Sequence, residues 1–195
     1  MKFQRKLIIV SMVLMLAGLA GLLPYAYFWN RNRVALANAP LLMVPVRAPL
    51  PQKPEAITGK PSRILIPSLS LDLAVADGSY NPDTKAWTLS NDKAHYALPS
   101  VQPNNDAGNT LIYGHAQKQV FAGLTGLKPG DQATVTTDNG YRFTYTYTAT
   151  EAVKPTNVDI FAYAGSPRLT LQTCSGSWWQ NRQFYYFDFT SVEKI

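Results

Sequence analysis

The sequence predicts an all-β fold, an eight-stranded barrel with one or two short helices, preceded by an N-terminal transmembrane helix. Short apolar runs divided by turn residues recur from residue 63 to the C-terminus, a pattern typical of strands. Aromatic residues make up 12% of the 195-residue chain. Many of them lie in its second half together with Thr and Val, which favours strands over helices. Once an apolar N-terminal segment is set aside, the remaining length suits one globular domain.

Residues 7–29 are predicted to form the transmembrane segment, because this apolar run is uncharged and long enough to span a bilayer. The preceding tail, residues 1–6, carries three basic side chains, so the positive-inside rule places the N-terminus in the cytoplasm. A cleaved signal peptide is the alternative, since residues 37–39 resemble a cleavage site, but the apolar run is longer than a signal peptide requires. We therefore predict a single-pass protein of the cell membrane whose remaining chain is extracytoplasmic.

Residues 30–62 are predicted to form an extracytoplasmic linker. Six prolines interrupt this segment, which otherwise holds mostly Ala, other apolar residues and scattered basic residues. Proline-rich segments favour an extended chain and act as spacers. The folded domain then comprises residues 63–195.

The formal net charge of +6 is distributed unevenly along the chain. Residues 1–63 hold nine basic side chains and one acidic side chain, a net charge of +8. Residues 64–195 hold nine basic and eleven acidic side chains, a net charge of −2. A nucleic-acid-binding domain needs a basic patch on its folded surface, so this distribution argues against a nucleic-acid partner.

The folded domain is predicted to contain eight strands and two short helical turns. In Tyr141–Thr148 an aromatic residue alternates with Arg or Thr, the period expected of a half-buried strand. Asp138-Asn139-Gly140 before it predicts a hairpin turn, since Asn-Gly is suited to positive φ. Helical turns are predicted at Val120–Gly126 and Asn157–Ala162. The predicted strands are Ile64–Ile66, Leu69–Val75, Trp87–Leu89, Thr110–Tyr113, Gln132–Thr137, Tyr141–Ala149, Arg168–Thr173 and Gln183–Thr190. Eight strands in this length favour a closed or nearly closed barrel.

The chain has one cysteine, Cys174, which the topology prediction places outside the cytoplasm. An extracytoplasmic thiol without a disulfide partner within its own chain is a candidate nucleophile. A small buried hydrophobic residue is the alternative interpretation. Cys174 ends an apolar strand and precedes Ser175-Gly176-Ser177, so it lies where a strand meets a loop. That position favours the nucleophile.

A cysteine nucleophile needs a proton partner, and histidine is a common one. The chain has two histidines. His115 follows the apolar strand Leu111–Tyr113, whereas His95 lies in a polar stretch before a turn. The position at a strand end favours His115.

Arg182 is the candidate cation of the site. It follows Cys174 by eight residues, enough for a loop that returns a neighbouring antiparallel strand, so that Arg182 would face the cysteine. A guanidinium there would favour the thiolate and donate hydrogen bonds to a developing oxyanion. An ordinary exposed base at a strand edge is the alternative.

These segments resemble the signature regions of the sortase family. Leu169–Cys174 with Arg182 resembles the motif T-L-x-T-C followed by a downstream Arg, and Gly108–His115 resembles G-N-x-x-x-x-G-H. His95-Tyr96 resembles a further family segment, and Phe121–Asp131 contains a stretch like L-x-x-L-K-x-G-D. The resemblance extends from about residue 63 to residue 190 and also covers the predicted anchor. It leaves the subclass open.

The resemblance implies a sortase β-barrel and a cysteine transpeptidase, with Cys174, His115 and Arg182 as catalytic residues and His95 non-catalytic. Such an enzyme cleaves a C-terminal sorting motif in secreted proteins through a thioester, and transfers the acyl group to an amine of peptidoglycan or of a pilin lysine. No cofactor is implied. Some relatives bind calcium in the loop 154–167, but Asp159 is the only carboxylate of that loop here, so we predict no metal.

The expected substrate contacts lie around the cysteine and in the loop 154–167. Apolar residues of that loop are expected to line a peptide pocket by resemblance to the family, although a short core helix is an equal alternative. Thr173 beside the nucleophile and Trp178 after it are also candidates. The candidate substrate-binding residues are Thr173, Val158, Ile160, Phe161 and Trp178.

Two other functions remain open at this point. A cell-wall cysteine hydrolase would use the same residue types, but papain-like and amidase families generally place Cys before His in the chain. L,D-transpeptidases have an S-x-G-C motif that is missing before Cys174. A non-enzymatic, membrane-tethered adhesin or binding module would use Trp178 and Trp179 as its contact surface, and it would not need a reactive thiol.

Overall fold

The computed structural model describes residues 12, 15, 24, 27–31, 55–84, 86–178 and 180–195. The chain divides into two compact units, Met1–Lys53 and Pro54–Ile195, and the second holds the fold. Most of the predicted anchor at 7–29 and of the predicted linker lies outside the described residues. Among the residues that are described, no helix combines the length and the apolar character needed to cross a bilayer.

Eight of the strands form a closed barrel. Within the described residues the strands are β1 (Pro61–Ile66), β2 (Leu71–Gly78), β3 (Tyr80–Asn81), β4 (Ala86–Trp87), β5 (Ala94–Ala97), β6 (Asn109–Tyr113), β7 (Gln132–Thr137), β8 (Tyr141–Val153), β9 (Arg168–Ser175) and β10 (Asn181–Lys194). The barrel order is β1-β2-β5-β6-β9-β10-β8-β7, and β7 pairs with β1 to close it. The pairs β2–β5 and β6–β9 are parallel. Strands β3 and β4 form a separate two-stranded sheet.

Three short 3₁₀ helices lie between the described strands: η1 (Pro67–Leu69), η2 (Ala122–Gly126) and η3 (Asp159–Ala162). The last two fall within the predicted helical turns. Helix η1 occupies the predicted start of β2, because Pro67 at its first turn has a φ suited to a helix and no N–H for a strand ladder. Strand β2 therefore begins at Leu71.

The apolar side chains pack in two clusters separated by the barrel wall. The interior core fills the barrel, and fully buried members include Ile64, Phe143, Leu171 and Phe187. The smaller outer cluster covers the outside of β6, β9 and β10; its buried members are Ala97, Leu111, Tyr113, Val153, Ile160 and Phe184. Alternate residues of a strand point to opposite faces, so β6 and β10 contribute to both clusters, whereas the apolar residues of β9 belong to the interior core.

One barrel strand differs from the prediction. The predicted strand Trp87–Leu89 is not part of the barrel, because Trp87 pairs with Tyr80 in the outer hairpin. The barrel strand is β5, in which all four residues are buried. It lacks the alternation of a half-buried strand, and its polar groups are satisfied by specific partners. The two ring nitrogens of His95 lie 3.1 Å from the Asp77 carbonyl and 3.0 Å from the Ser90 hydroxyl.

The predicted hairpin between β7 and β8 is present, but its turn differs in detail. Gly140 has φ +81°, and its N–H donates to the Thr137 carbonyl at 3.3 Å. Asn139 does not adopt positive φ, so the turn is not the two-residue type that Asn-Gly favours. A turn closed by one residue in the left-handed region is the usual form of the longer hairpin loop.

The ordered domain begins before residue 63. Strand β1 starts at Pro61, and the segment 57–60 is bonded to two loops. The Asn105 Oδ1 accepts from the Ile57 N–H at 2.8 Å, and Asn139 Nδ2 donates to the Thr58 carbonyl at 2.8 Å. The end of the predicted linker therefore packs against the domain.

Candidate active site

Cys174 and Arg182 are brought together by the pairing of β9 with β10. The two residues are direct partners in the antiparallel register, so their side chains lie on the same face. Leu169 and Leu171 of β9 point into the barrel, which places Cys174 on the outer face by alternation. Both Cys174 and Arg182 are half-buried. The eight-residue spacing thus brings the arginine opposite the cysteine, as expected.

His115 reaches the same position from the other side of β9. Strands β6 and β9 are parallel and Tyr113 is level with Gln172, so two residues further along His115 is level with Cys174. Hydrogen bonds hold this register beyond the end of β6. The Gly114 N–H donates to the Gln172 carbonyl at 3.0 Å, and the Thr173 hydroxyl donates to the Gly114 carbonyl at 2.9 Å.

The segment after β6 fixes the backbone of His115. A β-carbon on Gly114 would lie 2.6 Å from the Val120 Cγ1, so the close approach of these two residues requires glycine. The Phe121 N–H donates to the His115 carbonyl at 3.0 Å. His115, Cys174 and Arg182 therefore lie at one end of three adjacent strands whose backbones are about 4.8 Å apart.

His95 lies apart from this arrangement. Its side chain is 2% exposed and bonded at both ring nitrogens, and its ring stacks on Tyr113 with 5.7 Å between centroids. It therefore has a packing environment that differs from the half-buried His115.

An outer groove of about 230 Å³ runs along the outside of β6, β9 and β10. Its lining includes Trp87, Tyr113, Val158, Phe161, Gln172 and Arg182. Trp87 joins its two walls, since its ring stacks on Phe161 with 6.2 Å between centroids and meets the edge of Tyr113 at 5.2 Å. The groove thus has aromatic walls, and polar side chains, Gln172 and Arg182 among them, complete its lining.

The residues predicted to contact substrate divide into two groups. Val158, Ile160 and Phe161 all line the outer groove. Ile160 is also buried in the outer cluster, so the segment serves as groove wall and as a packed helix at once. Thr173 and Trp178 lie outside this groove: Thr173 is buried and its hydroxyl is used by Gly114, whereas Trp178 is 86% exposed.

An inner pocket of about 480 Å³ approaches Cys174 from the end of the barrel. Helix η2 and the ends of β8, β9 and β10 enclose it. Its lining includes Phe121, Leu124, Tyr147, Thr173, Cys174 and Gln183. No described residue lines both cavities.

Several groove residues were missed by the sequence analysis. Gln172 and Phe184 share the outer face with Cys174 and Arg182 by simple alternation, and this signal was available in the sequence. Trp87 and Tyr80 gave no such signal, because the hairpin that carries them lies outside the barrel. Tyr113 was assigned only to a strand.

Tyr113 has an unusual environment in the groove floor. It is 4% exposed, and its hydroxyl has no hydrogen-bond partner among the described residues. Burial raises the pKa of this phenol, so it stays protonated at neutral pH. Its hydroxyl lies against Gly78, where an added β-carbon would be only 2.1 Å away. Glycine at 78 is therefore needed for the tyrosine to occupy this position.

Within the described residues no group of three or more His, Cys, Asp or Glu side chains is arranged to hold a metal ion. The expected absence of a metal stays a prediction.

The comparisons with known proteins agree on one family. The family model of the sortase domain matches residues 64–186, more than half of the chain. Sortase E1 from Streptomyces coelicolor, solved with a tripeptide in its active site, is 20% identical over 70% of this chain and 91% of its own, with a TM-score of 0.57. Sortase A from Listeria monocytogenes is 24% identical over 68% and 88%, with a TM-score of 0.54. Sortase C1 from Streptococcus agalactiae is 21% identical over 69% of each chain, with a TM-score of 0.56. None of the curated protein sequences compared matches this chain.

Proposed function

Because this chain belongs to the sortase family, we propose that it is a membrane-anchored cysteine transpeptidase. Its substrates are secreted proteins with a C-terminal sorting motif, and its acceptor is an amine of peptidoglycan or of a pilin. The observation that carries the proposal is the direct pairing of Arg182 with Cys174, with His115 level with them on the next strand. A half-buried thiol between a histidine and an arginine is suited to acyl transfer.

The first step is acylation of Cys174. The thiolate sulfur attacks the carbonyl carbon of the scissile amide and forms a tetrahedral oxyanion. Collapse of this intermediate breaks the C–N bond, and protonated His115 gives its proton to the leaving amine. The acyl group then remains bound to the cysteine as a thioester.

Arg182 stabilises the oxyanion in this scheme. Its position directly across from Cys174 allows the guanidinium to donate hydrogen bonds to the oxygen as charge develops there. A positioned donor in a partly buried site is worth more than the same group in water. The register of β9 and β10 thus sets the geometry of the reaction.

The outer groove is the proposed binding site of the sorting motif. Arg182 is part of its lining, and its walls are apolar at Trp87, Val158 and Phe161. A short extended peptide can place apolar side chains between these walls while its scissile carbonyl lies near Cys174. The exposed Val158, at 64%, is at the mouth of the groove and is expected to contact the peptide.

The proposal can be tested by trapping the acyl-enzyme. The full chain in detergent is incubated with a quenched-fluorescence library of pentapeptides, and intact mass is measured after quenching. We expect cleavage and a protein mass raised by the acyl fragment, which hydroxylamine releases. Cys174→Ala should show neither. Turnover by Cys174→Ala, or a wild-type protein that cleaves no library member, would contradict the proposal.

The chain offers a matched control in its second histidine. His115→Ala is expected to abolish turnover and leave the unfolding temperature close to that of the wild type. His95→Ala should instead lower the unfolding temperature, because His95 is buried and bonded at both nitrogens, while the folded fraction retains activity. Equal loss of turnover per folded molecule in the two variants would argue against the role of His115.

A further inference from the structure

Gln172 lies on the central strand of the groove floor, which β6, β9 and β10 form. It is paired with Tyr113 of β6 on one side and with Phe184 of β10 on the other. Both of these neighbours are buried in the outer cluster, whereas Gln172 is half-buried and lines the groove. Its side chain is thus a polar group between two aromatic residues, on the face that carries Cys174.

The side-chain amide of Gln172 is not used by the fold. Its main-chain carbonyl accepts from the Gly114 N–H at 3.0 Å, but within the described residues no hydrogen bond reaches the side-chain amide. A primary amide offers two N–H donors and an acceptor oxygen side by side. These groups are therefore available to a molecule that lies in the groove.

We propose that Gln172 binds the main chain of the donor peptide, donating to one of its carbonyl oxygens and accepting from one of its N–H groups. This inference rests on the proposed function, because it requires a peptide in the outer groove. It deepens that function by naming a binding residue besides the three catalytic ones. It also assigns this residue to the peptide main chain and not to a peptide side chain.

An extended peptide in the groove needs partners for its own N–H and C=O groups. Extended peptides often obtain them by adding a strand to the edge of a sheet. The groove floor offers no such edge, because β9 is paired on both sides within a closed barrel. Side chains that line the groove must therefore supply the partners.

Gln172 is better suited to this role than the other polar side chains of the floor. Of the described floor residues that line the groove, Tyr113 and Arg182 are the others with polar side chains. The Tyr113 hydroxyl lies against Gly78 of β2, so it points away from β9. The Arg182 guanidinium has donors only. Gln172 thus combines an accessible donor with an accessible acceptor.

The position of Gln172 also suits a peptide that reacts at Cys174. Gln172 precedes Cys174 by two residues on the same strand face, a distance of about 6.6 Å in an extended strand. A peptide with its scissile carbonyl at Cys174 therefore places near Gln172 the main chain about two residues from the scissile bond. The apolar walls at Trp87 and Phe161 are left for the peptide side chains. Main-chain hydrogen bonds then give affinity, and the walls give specificity.

The test removes the proposed hydrogen bonds from the enzyme and from the peptide in turn. Gln172→Met, made in the full chain, keeps the length of the side chain and removes the amide. Gln132→Met is the matched control, since Gln132 is exposed on β7 and lines neither the outer groove nor the inner pocket. The best peptide from the library is prepared in two series. In one, each main-chain N–H before the scissile bond is replaced in turn by an ester oxygen, and in the other each side chain is replaced by that of alanine.

We expect Gln172→Met to raise the KM for the unmodified peptide by about tenfold, the size expected for one or two lost hydrogen bonds. Its kcat should change little, because the contact is present in the ground state and in the transition state alike. Gln132→Met should match the wild type. One ester should raise the wild-type KM by a similar factor and have no further effect in Gln172→Met, which is the coupling expected of a direct contact.

Two outcomes would overturn the inference. One is that every ester has the same effect in Gln172→Met as in the wild type, and the other is that Gln172 is coupled to a member of the alanine series and to no ester. In both cases the peptide is still cleaved, and the proposed function stands. Failure of the wild type to cleave any peptide would overturn both proposals.

Discussion

The interior core and the outer cluster are built from the same strands but have different consequences. The interior core is surrounded by the barrel strands, and Phe143, Leu171 and Phe187 are fully buried there. The outer cluster is closed on one side by β6, β9 and β10 and on the other by loops. Its cover is the β3–β4 hairpin and the segment around η3, which together leave the outer groove open. The comparison indicates that the interior determines stability and that the outer cluster determines the shape of the site.

The largest expected effect is on stability, and it comes from comparing a Phe-to-Ala substitution in the interior core with one in the outer groove. Phe187→Ala, at a fully buried interior position, should lower the free energy of unfolding by about 3–5 kcal/mol. Phe161→Ala, at a partly buried position of the outer groove, should lower it by about 1 kcal/mol but raise the KM for the peptide. Urea unfolding and steady-state kinetics on both variants test this. Similar losses of stability in the two variants would mean that the interior core does not contribute more to stability than the outer cluster.

The second prediction concerns the segment that precedes β1. A protein that starts at residue 54 retains the contacts of Ile57 and Thr58 with the loops at Asn105 and Asn139. A protein that starts at residue 63 loses them together with the start of β1. Each such hydrogen bond contributes about 0.5–1.5 kcal/mol, so the shorter protein should be less stable by about 2 kcal/mol in urea unfolding. Equal stability would place the segment outside the fold.

The third prediction uses two glycines as a matched pair. Gly78→Ala places a β-carbon against the Tyr113 hydroxyl and should cost about 1–3 kcal/mol, with a higher KM because Tyr113 lines the groove. Gly123→Ala meets nothing within 4 Å and lies in η2, so its effect on stability should be below about 1 kcal/mol. Thermal unfolding measures both. If Gly78→Ala left the unfolding temperature unchanged, Tyr113 would be free to move away from the added methyl group.

The same comparison explains how much of the fold could be predicted from the sequence. Strand β7 was predicted with its observed bounds, and β8 by its alternation, because one face of each is buried and the other is not. Strand β5 was missed because all four of its residues are buried and its polar groups depend on partners that are distant in the chain, such as Asp77. Periodicity carries no information about such partners.

The site could be predicted in part for a similar reason. The spacing of Cys174 and Arg182 was enough to predict that they face each other, because a short loop between antiparallel strands sets the register. The groove could not be predicted from strand spacing, since Trp87 stacks on Phe161 from a hairpin outside the barrel. Alternation predicts that Gln172 and Thr173 point to opposite faces of β9, but only the structure shows that a cavity lies on each face.

The central claim is that Arg182 acts on the oxyanion at Cys174, and Arg182→Lys tests it most directly. Lysine keeps the charge but replaces a planar fork of donors with a point charge on a flexible stem. Loss of a positioned donor typically lowers kcat by about 10²–10³.

We therefore expect the kcat of Arg182→Lys to fall by that factor of about 10²–10³ while the KM for the peptide changes little. The matched control is Arg168→Lys at the other end of β9, where Arg168 stacks on Tyr163 and Tyr186 at 3.9 and 4.5 Å. It should lose some stability and keep its kcat. A raised KM with unchanged kcat in Arg182→Lys, or normal values of both, would contradict the account.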